Sequence, residues 1–468
     1  MIVLILLACC VCSLYLYRNS RFTLAIAIIA VSGMLIKIWA CSDPWLHAWD
    51  ERYHALAAKN MMHHLLKPTL YEHPLLPYDY RNWTSNHIWV HKQPVTLWLI
   101  ALSLKLFGIS AFAVRIPSII LSTISTILVY DIGAKWFSKK VGLVAAFLIS
   151  INGLIIDLGS GNNSTDHVDV IFMFFVLLCV WLIVMAFNSQ KAIYHAAAGI
   201  ALGLAILTKW LPALIVAPIW LLLARKYYQH NLPLLIRHFA LFLLAAICVA
   251  LPWQLYIFSH YPLEASWEYH FNALHVTQAL EGHSGNWLYH FDRLRILYGE
   301  AVYIPILWFM YQTIKFRKTE HIILLIWFLV PFVFFSIPAT KMPAYTLLSA
   351  PSIFLMTAIF FWQCLEWWQQ RSKYRYAFVI VALSLIILPV RYSIERLKPF
   401  DARSQDRAFY NDIVKTRALM TTPDKTVVIN YPHYIELMFY TGCIAYEGVP
   451  DDKALNSLRQ QGYTIIKK

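Results

Sequence analysis

Residues 22–40 read FTLAIAIIAVSGMLIKIWA, an apolar run broken by one charge, Lys37. A stretch of this length crosses a hydrocarbon core of about 30 Å as a helix. Runs of the same kind recur along all 468 residues, and the chain reads as about twelve spans by that criterion. Composition agrees: 59% of the residues are hydrophobic and 14% charged, too apolar and too weakly charged for a water-soluble domain. The net charge of +14 is not spread over one basic face. Its Lys and Arg residues sit in short clusters between apolar runs, which excludes a nucleic-acid footprint and marks membrane topology instead.

The run before residue 22, Met1 to Tyr17, has no basic segment ahead of it and no small-residue cleavage site, so it reads as a further span and not a signal peptide. Most of the eight cysteines, among them Cys9, Cys10, Cys12, Cys179 and Cys248, lie inside apolar runs without metal-ligand spacing and read as packing residues. Aromatic residues make up 15% of the chain, as expected of interfacial belts.

Basic connectors alternate with the runs. Arg18 and Arg21, Lys135 to Lys140, Lys191, Arg225 to Arg237, Lys315 to Lys318 and Arg371 to Arg375 fall on one side if they obey the positive-inside rule. The opposite, outer side then receives Cys41 to Ser110, Asp157 to His167, Lys209 with Trp210, Ser259 to Leu297, Ile337 to Ala344, and everything after about Tyr392. It also receives every histidine except His195, His230, His238 and His321. Residues 398–468 are richer in charge and carry β-like stretches, Thr426 to Asn430 and Tyr463 to Ile466, around a helical Asp452 to Gln461. The expected organisation is a membrane domain over 1–397, with a large outer loop at 42–110, followed by a small outer α+β segment at 398–468.

The loop from Cys41 to Gln93 is far longer than a connector needs. It opens on Trp45, Trp49, Asp50 and Glu51, and from Asp50 to Leu66 the spacing of Tyr53, Ala57, Asn60, Met61 and His64 is that of a helix lying on the membrane surface. Asp50 stands at that helix's start, where a carboxylate serves equally as an N-cap. The loop closes on His91, Lys92, Gln93 and Pro94, before a second apolar helix through Trp98, Leu102 and Leu106; a lysine here also fits a snorkelling anchor. Asp166 and Asp169 lie at the outer edge of a span. Carboxylates there are expensive and usually functional, although an N-cap is the alternative. Lys209 ends a run before Trp210, as an interfacial anchor or inside a polar cavity.

Taken in order, Trp49-Asp50-Glu51, Lys92-Gln93-Pro94 with Trp98, Leu106-Phe107-Gly108, Val114-Arg115-Ile116-Pro117, Thr165-Asp166-His167-Val168-Asp169, Gly203 to Lys209, Glu281-Gly282-His283 and Lys341-Met342-Pro343-Ala344-Tyr345 resemble the pattern of GT-C membrane glycosyltransferases. The branch it resembles is the protein O-mannosyltransferase and lipid A aminoarabinose transferase group. The resemblance implies an all-α polytopic fold. It also implies transfer of a monosaccharide from a polyprenyl-phosphate carrier to a lipid, glycan or protein acceptor at the non-cytoplasmic face, with inversion at the anomeric carbon, in a bacterial cytoplasmic membrane with the site facing the periplasm or exterior. Such a reaction needs a base for the acceptor's proton and cations for the leaving phosphate. Asp50 is the candidate base and Asp166 a second carboxylate that orients the acceptor or a catalytic partner. Glu51, Lys92, Lys209, His270, Lys341 and Tyr345 are the candidate substrate-binding residues.

The pattern departs from the group around the lysine. His91 stands where relatives often carry an acid, and Gln93 where they carry a proline. If that acid helps hold a divalent metal in relatives, His91 can do so with His270, imidazole being a good ligand for borderline metals. A multi-pass transporter or flippase of lipid-linked glycans is the alternative function; it would place its polar residues at mid-membrane on broken helices instead of elaborating one outer loop. A receptor or scaffold is a third.

Overall fold

The computed structural model describes residues 2–41, 43–162, 167–229, 231–370, 374–401 and 408–468. Two helices, α1 (Ile2–Arg18) and α2 (Phe22–Ala40), form an N-terminal hairpin. The outer loop follows with α3 (Asp50–Met61) and α4 (Pro94–Phe107), then α5 (Ala111–Trp136), α6 (Lys139–Ile151), α7 (Gly153–Ser160), α8 (His167–Ser189), α9 (Ala192–Lys209), α10 (Val216–Tyr227) and α11 (Leu232–His260). Beyond it come α12 (Pro262–Thr277), α13 (Tyr289–Tyr298), α14 (Tyr303–Phe316), α15 (Thr319–Ser336), α16 (Ala350–Gln369) and α17 (Arg375–Leu397). The C-terminal segment contains α18 (Ala408–Ala418), β1 (Thr426–Ile429), α19 (Tyr434–Thr441), β2 (Ile444–Ala445), α20 (Asp452–Gln460) and β3 (Thr464–Lys467).

The helix starts follow their local chemistry. Ser110 and Ser138 accept hydrogen bonds from Ala113 N and Val141 N at the starts of α5 and α6, and α4 opens on Pro94, whose missing N–H is no loss at a first helical position. Between α6 and α7 Asn152 interrupts the helix. Its side-chain oxygen accepts from Ile155 N and its amide donates to Leu297 O at 2.7 Å, and the two segments bend by 51°.

Eight helices among the described residues are long and apolar enough to cross a membrane, or nine with the bent α6–α7 pair taken as one span. This multi-pass all-α architecture is the expected one, but the count falls short of about twelve. Several runs form shorter helices: α1 has 17 residues, α10 has 12 and α14 has 14. The helices pack through small residues, since lipid offers no hydrophobic drive between them. A Cβ on Gly133 would stand 2.8 Å from the Cα of Gly142 where α5 meets α6, and one on Gly199 would collide with the Phe242 carbonyl of α11.

The basic connectors gather together. The Lys139 and Lys140 ammoniums lie over the rings of Phe22 and Trp362 at 5.4 Å each, and Lys226 pairs with Glu320. Along α5, Arg115 and Lys135 are separated by about 30 Å of helix, so Lys135 lies at the end of the bundle away from the outer loop.

After Leu397 the chain forms a three-stranded parallel sheet of order β2-β1-β3, with Val427 opposite Ile444 and Ile465. The strands at Thr426 and Tyr463 and the helix at Asp452 fall within a residue of their expected positions; α18, α19 and the two-residue β2 are additions. The helix α19 packs on α3, within a hydrophobic cluster that also holds Trp89, Leu97, Val428 and Ile435.

Candidate active site

The site begins at the N-terminus of α3. Trp49 carries φ +76 immediately before Asp50 and rests edge-on against Trp83 at 5.7 Å. A bulky residue at positive φ costs on the order of 1–3 kcal/mol and persists only where its surroundings fix it. Asp50 is 9% exposed and its carboxylate lies 3.4 Å from the Lys92 ammonium, so the two ends of the long loop meet.

Lys92 is set by its neighbours. Gln93 Oε1 accepts from Gln254 Nε2 of α11 at 2.9 Å, and Gln254 Oε1 accepts from the Tyr269 hydroxyl of α12 at 2.8 Å. The glutamine in place of a proline therefore ties the lysine's loop to two helices. His91 stacks on Trp83 with centroids 4.4 Å apart, and its Nδ1 lies 2.9 Å from Glu268 Oε2. Nearby, Tyr78 donates to Glu264 one turn earlier on α12.

Lys209, the last residue of α9, pairs with Asp169 in the first turn of α8, and its ammonium stands 4.7 Å from the centre of the Tyr345 ring. Trp210, directly after it, is a second tryptophan at positive φ, +67. His275 completes the group. Burial pushes its pKa down to about 4, and the charges of His91, Lys92 and Lys209 push in the same direction against that of Glu268. Its Nδ1 lies 3.0 Å from the Thr340 hydroxyl. Three of these bases already face carboxylates, His91 that of Glu268, Lys92 that of Asp50 and Lys209 that of Asp169, so an incoming anion would compete with those partners.

Not every expected residue joins it. Glu51 is fully buried, and its carboxylate is consumed by Arg115 Nε at 2.7 Å and Nη2 at 3.0 Å, His167 Nε2 at 3.1 Å and the His47 amide at 2.6 Å. Burial opposes its ionisation, but Arg115 and His167 outweigh that and hold the carboxyl well below the usual carboxylate range. Its expected role as a substrate-binding residue is therefore corrected: Glu51 ties α3 to α5 and α8. Gly161, at φ +58, leaves the room, because a Cβ there would come within 2.6 Å of both Arg115 and Glu51.

Lys341 is 3% exposed. Its ammonium donates to the carbonyls of Ser336 at 2.8 Å and of Pro338, closing the C-terminal end of α15 where a cation is favoured. Asp166 lies outside the described residues.

The metal expectation also requires correction. His270 is exposed beside Trp267, and residues two apart on a helix point about 200° from each other, so it faces away from the Glu268 that meets His91. Among the described residues no three His, Cys, Asp or Glu side chains form a group that could hold a metal ion. Glu268 Oε1 is buried without a hydrogen-bond partner, but with His91 already committed to the other oxygen the residues do not fit a resident metal.

Of the site, Glu268, His275, Gln254 and Thr340 escaped the sequence reading. Each lies far along the chain from the outer loop it serves, and no local spacing signals it.

The chain is similar to proteins already known. Residues 91–254 match the family described as dolichyl-phosphate-mannose-protein mannosyltransferase, the match opening on His91. The undecaprenyl phosphate-alpha-4-amino-4-deoxy-L-arabinose arabinosyl transferase of Pseudomonas savastanoi pv. phaseolicola is 28% identical over 279 residues, 57% of this chain and 51% of that protein. The enzyme of the same name from Pseudomonas aeruginosa PAO1 is 28% identical over 289 residues, 56% of this chain and 49% of its own. The chain spans about half the length of these relatives. Among solved structures, apo ArnT from Cupriavidus metallidurans superposes with a TM-score of 0.68 at 14% identity, covering 96% of this chain and 93% of that one. The same protein bound to undecaprenyl phosphate gives 0.65 at 15% identity, covering 94% and 89%, and the Archaeoglobus fulgidus oligosaccharyltransferase gives 0.58 at 15%, covering 91% and 64%. The chain has the GT-C fold.

Proposed function

We propose that this chain is a membrane glycosyltransferase, moving a monosaccharide from a polyprenyl-phosphate carrier to a lipid, glycan or protein acceptor. The observation that carries the reading is the juxtaposition of Asp50 with Lys92, with Lys209 and His275 supplying further basic side chains. A nucleophile's proton acceptor and a phosphate's counter-charges stand side by side, as direct displacement of a sugar phosphate requires.

In the reaction the acceptor oxygen attacks the anomeric carbon from the face opposite the phosphate, and the configuration inverts. The bond from that carbon to the phosphate oxygen breaks, and the electron pair leaves with the phosphate. Asp50 takes the acceptor's proton, a contribution of about 10²–10⁴ in rate for a positioned base. Lys92, Lys209 and protonated His275 stabilise the charge gathering on the leaving phosphate, where fixed donors are worth most. Lys341 joins them only if it leaves the carbonyls of α15. Asp166 is kept as a second carboxylate of the acceptor side. No step runs through a metal.

Residues 1–397 carry the chemistry in this reading, and 398–468 lie on the same, non-cytoplasmic side. The names of the relatives, which specify undecaprenyl phosphate and an arabinosyl group, support a polyprenyl-phosphate donor; the bacterial cytoplasmic membrane and the site facing the periplasm belong to the proposal. The test is the purified chain in proteoliposomes with polyprenyl-phosphate sugars labelled in the sugar. Transfer with inverted anomeric configuration is expected. Movement of the intact lipid-linked sugar between leaflets, with no transfer, would instead make the protein a flippase.

A further inference from the structure

The C-terminal segment grips the helix that presents Asp50. Arg52, two residues into α3, donates from one guanidinium nitrogen to both oxygens of Glu436 at 3.2 and 3.3 Å, and Glu436 is 1% exposed. At the other end of α3, the Lys59 ammonium donates to the carbonyls of Met438 and Phe439 at 2.9 Å each, where α19 ends and a cation is favoured. The Tyr440 hydroxyl accepts from Leu46 N at 2.9 Å, just before α3, and the Tyr434 hydroxyl donates to Thr84 O at 2.6 Å on the far side of the loop. Both ends of α3 and both flanks of its loop are therefore held from one short helix, α19.

We infer that the C-terminal segment is the brace of the base helix, and that Glu436 is a positioning residue acting on Asp50 through Arg52. The physical need for a brace is local. Trp49 holds positive φ directly ahead of Asp50, a conformation the chain relaxes from unless its surroundings over-determine it. The buried Glu436 carboxylate fixes the first turn of α3 from the side opposite Lys92's loop, through one guanidinium nitrogen held between its two oxygens while a second nitrogen reaches the Tyr53 hydroxyl. Removing the carboxylate's charge leaves Arg52 without its counter-ion and frees the first turn to rotate. Asp50 then loses its aim while the basic side chains proposed to meet the phosphate, Lys92 ahead of α4, Lys209 of α9 and His275 of α12, stay in place.

This inference rests on the reading of Asp50 as the base, so its test has two arms. In the full-length protein, Glu436→Gln is compared with the parent for hydrogen exchange of the amides of residues 50–61, and for sugar transfer normalised to the number of donor-binding sites. Faster exchange confined to α3, and a fall in kcat per site on the order of tenfold with donor affinity retained, are expected; a small misplacement of a reacting group suffices for this. Arg52→Lys, which keeps the charge but loses the second nitrogen that reaches Tyr53, falls between parent and Glu436→Gln. Unchanged exchange over α3 overturns the brace, and so does a loss of binding sites with unchanged kcat per site, the signature of a merely structural contact. If the parent transfers no sugar while α3 still exchanges faster in the variant, the transfer reading fails and the brace stands.

Discussion

The Asp50 carboxylate lies 3.4 Å from the Lys92 ammonium, so one ion pair closes the loop that separates α3 from α4. In the proposed reaction that pair has to open: the lysine turns to the donor phosphate, and the carboxylate is left to receive a proton. On that reading the free protein holds its base and its phosphate anchor against each other.

Removing the lysine uncouples the two tasks. Lys92→Ala weakens donor binding by about 1.5–3 kcal/mol, the value of a hydrogen bond to a charged group, and lowers transfer further because the departing phosphate loses a cation. Lys92→Arg retains most of the binding. Titration of the purified variants with labelled polyprenyl-phosphate sugar measures both; equal donor affinity in Lys92→Ala and the parent would remove Lys92 from the site.

His275 and His270 separate sharply. With its pKa near 4, His275 is neutral at physiological pH in the free protein. A phosphate among His91, Lys92 and Lys209 supplies the opposing charge and raises that pKa, so donor binding takes up a proton and tightens as the pH falls through the raised value. Calorimetry in buffers of different ionisation enthalpy detects the uptake, and His275→Ala abolishes it. The exposed His270 changed to alanine leaves both donor affinity and stability, within about 0.5 kcal/mol, where they were.

Glu51 governs folding. Glu51→Gln strands the buried Arg115 guanidinium and costs about 3–5 kcal/mol, seen as a lower Tm. The sign with pH follows from the depressed carboxyl. The stabilisation is complete above the unfolded value of about 4.3 and is lost progressively as the pH falls below it. Thermal melts of parent and variant should therefore draw closer between about pH 4 and pH 3 without meeting, because the folded carboxyl is still ionised there; a constant difference would contradict the pairing.

Much of this was legible in the sequence because it is written in local patterns. Apolar runs give α2, α5 and α8; Pro94 fixes the start of α4; and the carboxylate at Asp50 and cation at Lys92 mark the loop's two ends before their contact is visible. What was not legible depends on residues distant in sequence. Glu268 and His275 look like ordinary residues of an amphipathic helix until α12 folds against the first outer loop. Glu51, adjacent to Asp50, reads as its companion, yet a helical step of about 100° turns it inward to Arg115. The role of Lys341 was hidden for the same reason, since its partners are the carbonyls that end α15. About twelve apolar runs correspond to eight or nine helices of spanning length among the described residues, because an apolar run does not reveal whether it folds as one long helix or as a shorter one.

The most direct test of the central claim is Asp50→Asn, which keeps the shape of the side chain and removes its basicity. Purified parent and variant are given labelled polyprenyl-phosphate sugar and acceptor, with donor binding and single-turnover transfer followed together. Donor bound as in the parent with transfer reduced by about 10²–10⁴ is the expected result; transfer at the parent's rate would show that Asp50 is not the base.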